Sequence, residues 1–202
     1  LDPKNADLAD LQAVMPDVYY KKEDMLACID RFYEEMMKRS EDMKLMENYR
    51  TGENYAYLGL PANFLIFDEY VAFFEMLGTK ESVGLLSQLK KIVMLGRQAG
   101  YFLIVACQRP DAKYFSDGIR DNFNFRVGLG RISELGYGML FGSDVKKQFF
   151  QKRIKGRGYC DVGTSVISEF YTPLVPKGHD FLQTIGSLAL ARQAISDERK
   201  EN

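Results

Sequence analysis

The sequence has no tryptophan, a single histidine and only three cysteines. One histidine, His179, argues against a serine–histidine catalytic pair and against a metal site built on imidazole ligands. Cys28, Cys107 and Cys160 are far apart and odd in number, so they match no metal-binding spacing. We therefore expect three reduced, buried thiols in a cytosolic domain.

A large net charge and long apolar runs are also missing. The formal net charge is −1, so no overall field attracts nucleic acid or an anionic membrane, and any contact with a polyanion must be local. No apolar stretch is long enough to span a bilayer, and no signal peptide is visible. The 202 residues, of which 46% are hydrophobic, suit one domain with a packed core, or one domain with a tail.

The most informative feature that is present is an apolar run at residues 63–67 that ends in two adjacent carboxylates, Asp68 and Glu69. A continuous apolar run is typical of a buried strand in a parallel sheet. Open α/β sheets bind their ligands at the carboxyl ends of such strands. The two acids can therefore hold a metal and polarise a water molecule, or they can simply cap the amino end of a following helix.

Apolar periodicity predicts helices that alternate with further apolar strands. The expected helices are residues 22–50, 70–77, 80–98, 119–122 and 181–192. The expected strands are residues 63–67, 101–107 and 125–129, followed by a hairpin of 159–162 with 166–171. This alternation predicts an α/β domain over residues 1–195, with a mainly parallel sheet, helices on both of its faces and a C-terminal β-hairpin. Residues 196–202 are expected to form a charged, disordered tail.

Polar side chains also accompany the second and third predicted strands, since Gln108 follows the second and Arg126 opens the third. Because neighbouring parallel strands end at one edge of a sheet, Asp68, Glu69 and Gln108 can converge on one ligand. An amide can hydrogen-bond a phosphate or a water molecule, and a guanidinium donates to phosphate in a planar fork. Simpler interpretations are a turn for Gln108, a helix-end charge for Arg97 and a surface ion pair for Arg126.

Six short segments extend this pattern along the chain. They are Leu1-Asp2-Pro3-Lys4, Asp68-Glu69, Arg97-Gln98-Ala99-Gly100, Ala106-Cys107-Gln108-Arg109-Pro110, Phe125-Arg126-Val127 and Gly156-Arg157-Gly158. In this order, from Leu1 to about Val175, the chain resembles the motor domain of the FtsK/SpoIIIE family. Residues 73–77 and 165–171 look most like the coupling ATPases of Gram-positive integrative conjugative elements. The resemblance implies a RecA-like P-loop ATPase of the HerA/FtsK type that forms a hexameric ring and pumps double-stranded DNA.

The resemblance also implies roles for individual residues. Asp68 corresponds to the Walker B residue that holds Mg²⁺, and Glu69 corresponds to the catalytic acid. Gln108 corresponds to the polar sensor at the tip of the next strand. Arg126 is the better candidate for an arginine finger that reaches a neighbouring subunit's nucleotide, and Arg97 is the weaker candidate.

The implied cofactors are ATP and Mg²⁺, with Asp68, Gln108, Gly156 and Gly158 as the expected nucleotide contacts. In the family, the first strand and the Walker A loop precede the Asp-Pro-Lys segment, whereas this sequence begins at Leu1 and contains no Gly-rich loop that ends in Gly-Lys-Ser or Gly-Lys-Thr. We therefore expect a fragment of a longer protein that alone neither hydrolyses ATP nor binds it tightly, because the phosphates lack their main cradle. Micromolar affinity for a nucleotide analogue in a titration of the isolated chain would contradict this expectation.

The expected partners of the full-length protein are double-stranded DNA, further copies of itself and the conjugation machinery. Upstream segments would anchor it at the cytoplasmic face of the bacterial cell membrane, while the fragment itself is expected to be soluble. The hairpin at 161–171 contains no Lys or Arg, so its own charge does not favour contact with DNA phosphates. Basic residues cluster before it, and the cluster is either a DNA contact or a solvated surface: Lys146, Lys147, Lys152, Arg153, Lys155 and Arg157.

Two other functions stay open at this point. One is a type VII secretion ATPase, whose cargo is protein, and tandem motor domains in the full-length protein would favour it. The other is an inactive module that contributes only a ring interface. The four best candidate site residues are all retained, which argues against such decay.

Overall fold

The computed structural model describes residues 1–111, 113–115, 117–145, 147–149, 154–164 and 166–201. The helices are α1 (Lys22–Asp42), α2 (Tyr70–Glu75), α3 (Thr79–Ala99), α4 (Asp117–Arg120), α5 (Glu134–Phe141) and α6 (Phe181–Glu201), with short 3₁₀ helices at Ala9–Ala13 and Met43–Leu45. The strands are β1 (Asn63–Phe67), β2 (Tyr101–Val105), β3 (Arg126–Leu129), β4 (Arg157–Asp161) and β5 (Ile167–Tyr171). The described strands form two sheets, a parallel pair β1–β2 and an antiparallel sheet in the order β3–β4–β5.

Each predicted helix is present, although some ends differ. The α1 helix stops at Asp42 instead of residue 50, because the chain tightens into a 3₁₀ helix that keeps Met43 buried in the core. Gly100 ends α3 in a left-handed conformation with φ of 78°, as a glycine cap does. The α6 helix runs to Glu201 and includes most of the predicted tail, whose disorder stays a prediction. Within the described part of the chain, no helix combines the length and the apolar character that crossing a membrane requires.

The parallel pair packs its inward-facing side chains against α1 and α3. Their shared core consists mainly of Met25, Ile29, Met36, Leu65, Phe67, Leu85, Leu89, Ile92 and Leu103. The methionines that recur along α1 are therefore core residues, since Met25 and Met36 are at most 1% exposed. A second, smaller core lies under the antiparallel sheet and contains Tyr137, Phe141, Tyr159 and Ile167.

The other face of the parallel pair is uncovered by the described residues. Phe64, Ile66 and Ile104 are 58%, 48% and 47% exposed, whereas Leu65 and Phe67, which alternate with the first two, are buried. Helices on both faces of the sheet were predicted from the alternation of elements. The described chain supplies helices for one face only, so that prediction is corrected.

The third strand also departs from the prediction. Instead of extending the parallel sheet, β3 pairs antiparallel with β4, with Arg126 opposite Asp161 and Leu129 opposite Gly158. The β4 and β5 strands form the predicted hairpin. Close approach of β3 and β4 depends on Gly158, because a Cβ there would collide with the Gly128 carbonyl oxygen. A short apolar run such as β3 suits either kind of sheet, so its pattern alone could not reveal its partner.

The close approach of the end of α3 to the start of β2 yields a prediction about two glycines in one helix. A Cβ on Gly96 would collide with the Tyr101 carbonyl oxygen, whereas a Cβ on Gly84 would have no neighbour within 4 Å. We expect Gly96→Ala to lower the free energy of unfolding by about 2 kcal/mol through overpacking. Gly84→Ala should raise it by up to about 1 kcal/mol, because alanine is the better helix former. Urea unfolding followed by circular dichroism measures both changes, and similar effects of the two variants would contradict a tight contact between Gly96 and the Tyr101 carbonyl.

Candidate functional site

The carboxyl edge of the parallel pair brings polar side chains from separate segments together. The two strands are in register, from Asn63 opposite Tyr101 to Phe67 opposite Val105, so they end side by side. The Nε2 atom of Gln108 then donates a hydrogen bond of 2.8 Å to Oε1 of Glu69. The structure therefore brings together the residues that follow β1 and β2.

A third segment, the start of the chain, joins the same edge. The amino group of Leu1 donates to the Ile66 carbonyl at 2.7 Å, and the Asp68 N–H donates to the Leu1 carbonyl at 3.0 Å. This is the hydrogen-bond pattern of a parallel neighbour of β1. Residues 2–4 therefore leave the sheet beside Asp68, and the Lys4 Nζ atom lies 2.8 Å from Glu69 Oε1.

Asp2 anchors the turn that carries Lys4. Its side chain is fully buried and accepts hydrogen bonds from the backbone N–H groups of Lys4, Ala6 and Ala9 at 3.1, 2.7 and 3.1 Å. A buried carboxylate is tolerated only when donors of this kind replace its water. Three backbone donors on one side chain fix the backbone from which Lys4 extends.

Sequence reasoning assigned no role to Asp2 or Lys4, which entered only as part of a family resemblance. Leu1 is one apolar residue, too short a run to indicate a strand. The signal that was available is an aspartate directly after an apolar residue, as also occurs at Asp68 after β1. Only the tertiary hydrogen bonds show that this pair belongs to the same sheet edge.

Glu69 has an unusual backbone conformation for a non-glycine residue, with φ of 45° and ψ of 43°. The left-handed region costs such a residue about 1 kcal/mol, and strain of this kind is concentrated at functional sites. The Asp68 Oδ1 atom accepts the Glu69 N–H at 2.9 Å and stabilises the bend. The bend places the Glu69 side chain between Lys4 and Gln108.

The electrostatics of the site keep Glu69 ionised. The Lys4 ammonium, helped by the Gln108 amide, holds the pKa of the Glu69 carboxyl below its usual value, although partial burial acts in the opposite direction. Burial, with a smaller effect of the Glu69 charge, raises the pKa of the nearby Cys107 thiol to about 11. At neutral pH the site therefore contains a charged carboxylate and a protonated thiol. All three cysteines are free, as predicted, and Cys28 and Cys160 are buried.

Asp68 fits a metal that arrives with a nucleotide. It is half-buried and directly follows β1, and its Oδ1 atom accepts the Glu69 N–H. No donor in the described part of the chain contacts its Oδ2 atom. Among the described residues, no group of three or more His, Cys, Asp or Glu side chains could hold a metal. Mg²⁺ at nucleotide sites is bound by one or two carboxylates, and phosphates and water complete its coordination. A single carboxylate at this position therefore suits Mg²⁺ bound to ATP better than a metal held by protein alone.

Arg126 lies outside this cluster. Its Nη2 atom is 2.6 Å from Oδ2 of Asp161, and the two side chains are 18% and 4% exposed. Its Nη1 atom donates to the Leu140 carbonyl at 3.3 Å. Arg126 thus forms a nearly buried ion pair within the antiparallel sheet, and the structure does not bring it to Glu69 of the same chain. Its role as an arginine finger toward a neighbouring subunit stays a prediction.

Arg97 and the two predicted nucleotide-binding glycines also lie away from the strand ends. Arg97 is exposed in the last turn of α3, just before β2 begins, and is therefore at the opposite edge of the parallel pair. Gly156 has φ of 75°, and its carbonyl accepts the Thr172 N–H at 2.8 Å. Gly158 allows β3 and β4 to approach. The structure of the antiparallel sheet therefore explains why glycine occurs at both positions. Contact of these glycines with a nucleotide stays a prediction.

The basic cluster before the hairpin is only partly described. Lys146, Lys152 and Arg153 lie outside the described residues. Lys147 donates to the Ile167 carbonyl, and Arg157 lies over the Tyr171 ring at 4.7 Å from its centroid. These two cations therefore contact residues of the antiparallel sheet.

The sequence is similar to that of a known protein. The chain is 58% identical over 186 residues to the Ftsk domain-containing protein YdcQ of Bacillus subtilis (strain 168), and the match covers 92% of this chain. It covers 38% of YdcQ, so the chain spans well under half the length of that relative. No family model matches the chain.

Three solved structures are similar in fold. The conjugation coupling protein TcpA of pCW3, in its monomer form with ATPγS, has a TM-score of 0.71 at 16% identity, over 93% of this chain and 55% of TcpA. The cytoplasmic domain of the Thermomonospora curvata type VII secretion ATPase EccC has a TM-score of 0.57 at 18% identity, over 85% of this chain and 21% of EccC. ATPases 2 and 3 of EssC from Geobacillus thermodenitrificans give 0.53 at 15% identity, over 88% of this chain and 32% of EssC. At such identities the likeness shows the fold alone, an α/β fold similar to ATPase domains of this type.

Proposed function

We propose that this chain is part of an ATP-driven DNA translocase of the FtsK type, acting as the coupling protein of conjugative DNA transfer. The identity of 58% to an FtsK-domain protein and the fold shared with TcpA support this proposal. The observation that carries it is the contact between Glu69 and Gln108 at the ends of two parallel strands. Ligands of open α/β sheets bind at this position.

In the proposed reaction, water attacks the γ-phosphorus of ATP, the bond from that phosphorus to the β–γ bridging oxygen breaks, and ADP and inorganic phosphate are released. Glu69 orients the attacking water and accepts a proton from it, since its carboxylate is ionised at neutral pH. Gln108 holds that carboxylate in place. Asp68 would hold Mg²⁺ together with the nucleotide. When bound, Mg²⁺ neutralises charge on the phosphates.

The proposed assembly is a hexameric ring around double-stranded DNA, with ATP at the subunit interfaces and the conjugation machinery as a partner. In the full-length protein, the ring would sit at the cytoplasmic face of the cell membrane. An arginine from the neighbouring subunit would stabilise the transition state. Arg97 is exposed and could reach a neighbour directly, whereas Arg126 would first have to leave Asp161.

DNA-stimulated ATP hydrolysis by the full-length protein tests the proposed function. We expect hydrolysis that rises when double-stranded DNA is added. Hydrolysis that does not change with DNA but rises when a secreted protein is added would favour the type VII alternative. The type VII secretion ATPase EccC is similar in fold to this chain. No hydrolysis in the presence of ATP, Mg²⁺ and DNA would favour an inactive ring module.

A further inference from the structure

We infer that Lys4 is a positioning residue of this site, which together with Gln108 clamps one oxygen of Glu69 and leaves the other oxygen available for the reaction. The inference rests on the proposed function and assigns a role to a residue outside the Walker B pair. It follows from three observations: the geometry of the two contacts to Glu69, the rigidity of the backbone that carries Lys4, and the solvent exposure of the ion pair.

The first observation is that both donors meet the same atom. Lys4 Nζ and Gln108 Nε2 each lie 2.8 Å from Oε1 of Glu69. Among the described residues, no donor contacts Oε2 of Glu69. Two donors from different segments hold Oε1 in position, and Oε2 is then the oxygen that can accept a proton from water. A general base must be held in this way, because small errors in position cost much of its effect.

The second observation is that the backbone of Lys4 is held in place. The lysine side chain is long and flexible, so an ion pair that it forms is well defined only if its backbone is held. The buried Asp2 carboxylate binds the N–H of Lys4 itself and two further backbone N–H groups. Leu1 is bonded to the strand that ends at Asp68. Lys4 and Glu69 are therefore parts of one hydrogen-bonded edge.

The third observation is that the ion pair between Lys4 and Glu69 is too exposed to contribute much to the stability of the fold. The Lys4 side chain is 43% exposed and that of Glu69 is 20% exposed. Ion pairs with this much solvent contact contribute little to folding. Removing the Lys4 charge should therefore leave the fold intact and affect mainly the orientation of Glu69.

Steady-state kinetics of the full-length protein test the inference, with Lys4→Met, Lys4→Arg and, as the control, Lys44→Met at an exposed lysine away from the site. We expect Lys4→Met to lower kcat by about 10-fold or more with little change in KM for ATP, because only the orientation of the base is lost. Lys4→Arg should restore a large part of kcat, and Lys44→Met should match the wild type. A raised KM with unchanged kcat would make Lys4 a phosphate ligand and overturn the inference, as would an unchanged kcat.

Hydrogen exchange of the Gln108 side-chain amide, measured by NMR on the 202-residue chain, gives a readout that needs no ATPase activity. We expect faster exchange in Lys4→Met, because Glu69 is no longer fixed against Gln108, and no change in Lys44→Met. Equal exchange rates, or loss of the fold in Lys4→Met, would overturn the inference while leaving the proposed function standing. Absence of hydrolysis by the wild-type protein would instead contradict the proposed function.

Discussion

A Glu69→Gln substitution in the full-length protein will lower ATP turnover by about 100-fold or more, and nucleotide affinity will be kept. Glutamine has nearly the same shape as glutamate but cannot take a proton from the attacking water. It also carries no charge, so the ion pair with Lys4 is lost. Binding is kept because the substitution leaves Asp68 in place. The measurements are kcat for ATP hydrolysis with saturating DNA, and a titration with a non-hydrolysable ATP analogue.

The matched control for this variant is Glu47→Gln, at an exposed glutamate after the 3₁₀ helix at Met43–Leu45. It makes the same chemical change away from the sheet edge, so its turnover should equal that of the wild type. Unchanged turnover in Glu69→Gln would remove Glu69 from the chemistry. A large loss of nucleotide affinity would instead give Glu69 a role in binding, in conflict with the assignment of that role to Asp68.

The parallel pair and its ligand edge could be predicted from sequence because their signals are local. Both β1 and β2 are continuous apolar runs, each next to a helix with a clear apolar face. Parallel pairing places the carboxyl ends of both strands at the same edge of the sheet, and Glu69 and Gln108 follow those ends. The end of α3 could also be predicted from the sequence, since glycine is the residue that a left-handed helix cap favours and Gly100 occupies that position.

The features that sequence reasoning missed depend on contacts between distant residues. The Leu1–Lys4 turn joins the site through hydrogen bonds to residues more than 60 positions away. The strand that Arg126 opens pairs with residues near position 160, and its partner is set by the close contact of Gly128 with Gly158. Neither pairing leaves a periodic signal in the sequence. The strand that contains Arg126 therefore looked like a further parallel strand, although it belongs to a separate antiparallel sheet.

The ion pair of Arg126 with Asp161 gives the second large effect, this time on stability. We expect Arg126→Met to lower the free energy of unfolding by about 3 kcal/mol, because the 4%-exposed Asp161 carboxylate loses its cation. Among the described residues, the hydrogen-bond donor that it keeps is the Gly163 N–H at 2.9 Å. Chemical denaturation of the 202-residue chain measures the loss. As a control, Lys38→Met breaks the exposed pair with Asp42 and should change the free energy of unfolding by less than about 1 kcal/mol.

A double variant, Arg126→Met with Asp161→Asn, distinguishes a structural role of Arg126 from a catalytic one. The neutral amide can still accept the Gly163 N–H, and no unpaired charge remains, so we expect the free energy of unfolding to return to within about 1 kcal/mol of the wild type. If Arg126 only stabilises the antiparallel sheet, the double variant of the full-length protein will regain ATP turnover together with stability. Arg97, which is exposed, would then be the candidate for the arginine finger. If Arg126 also reaches a neighbouring nucleotide, turnover stays low although stability is regained. A double variant as unstable as Arg126→Met would contradict the buried ion pair as the source of the effect.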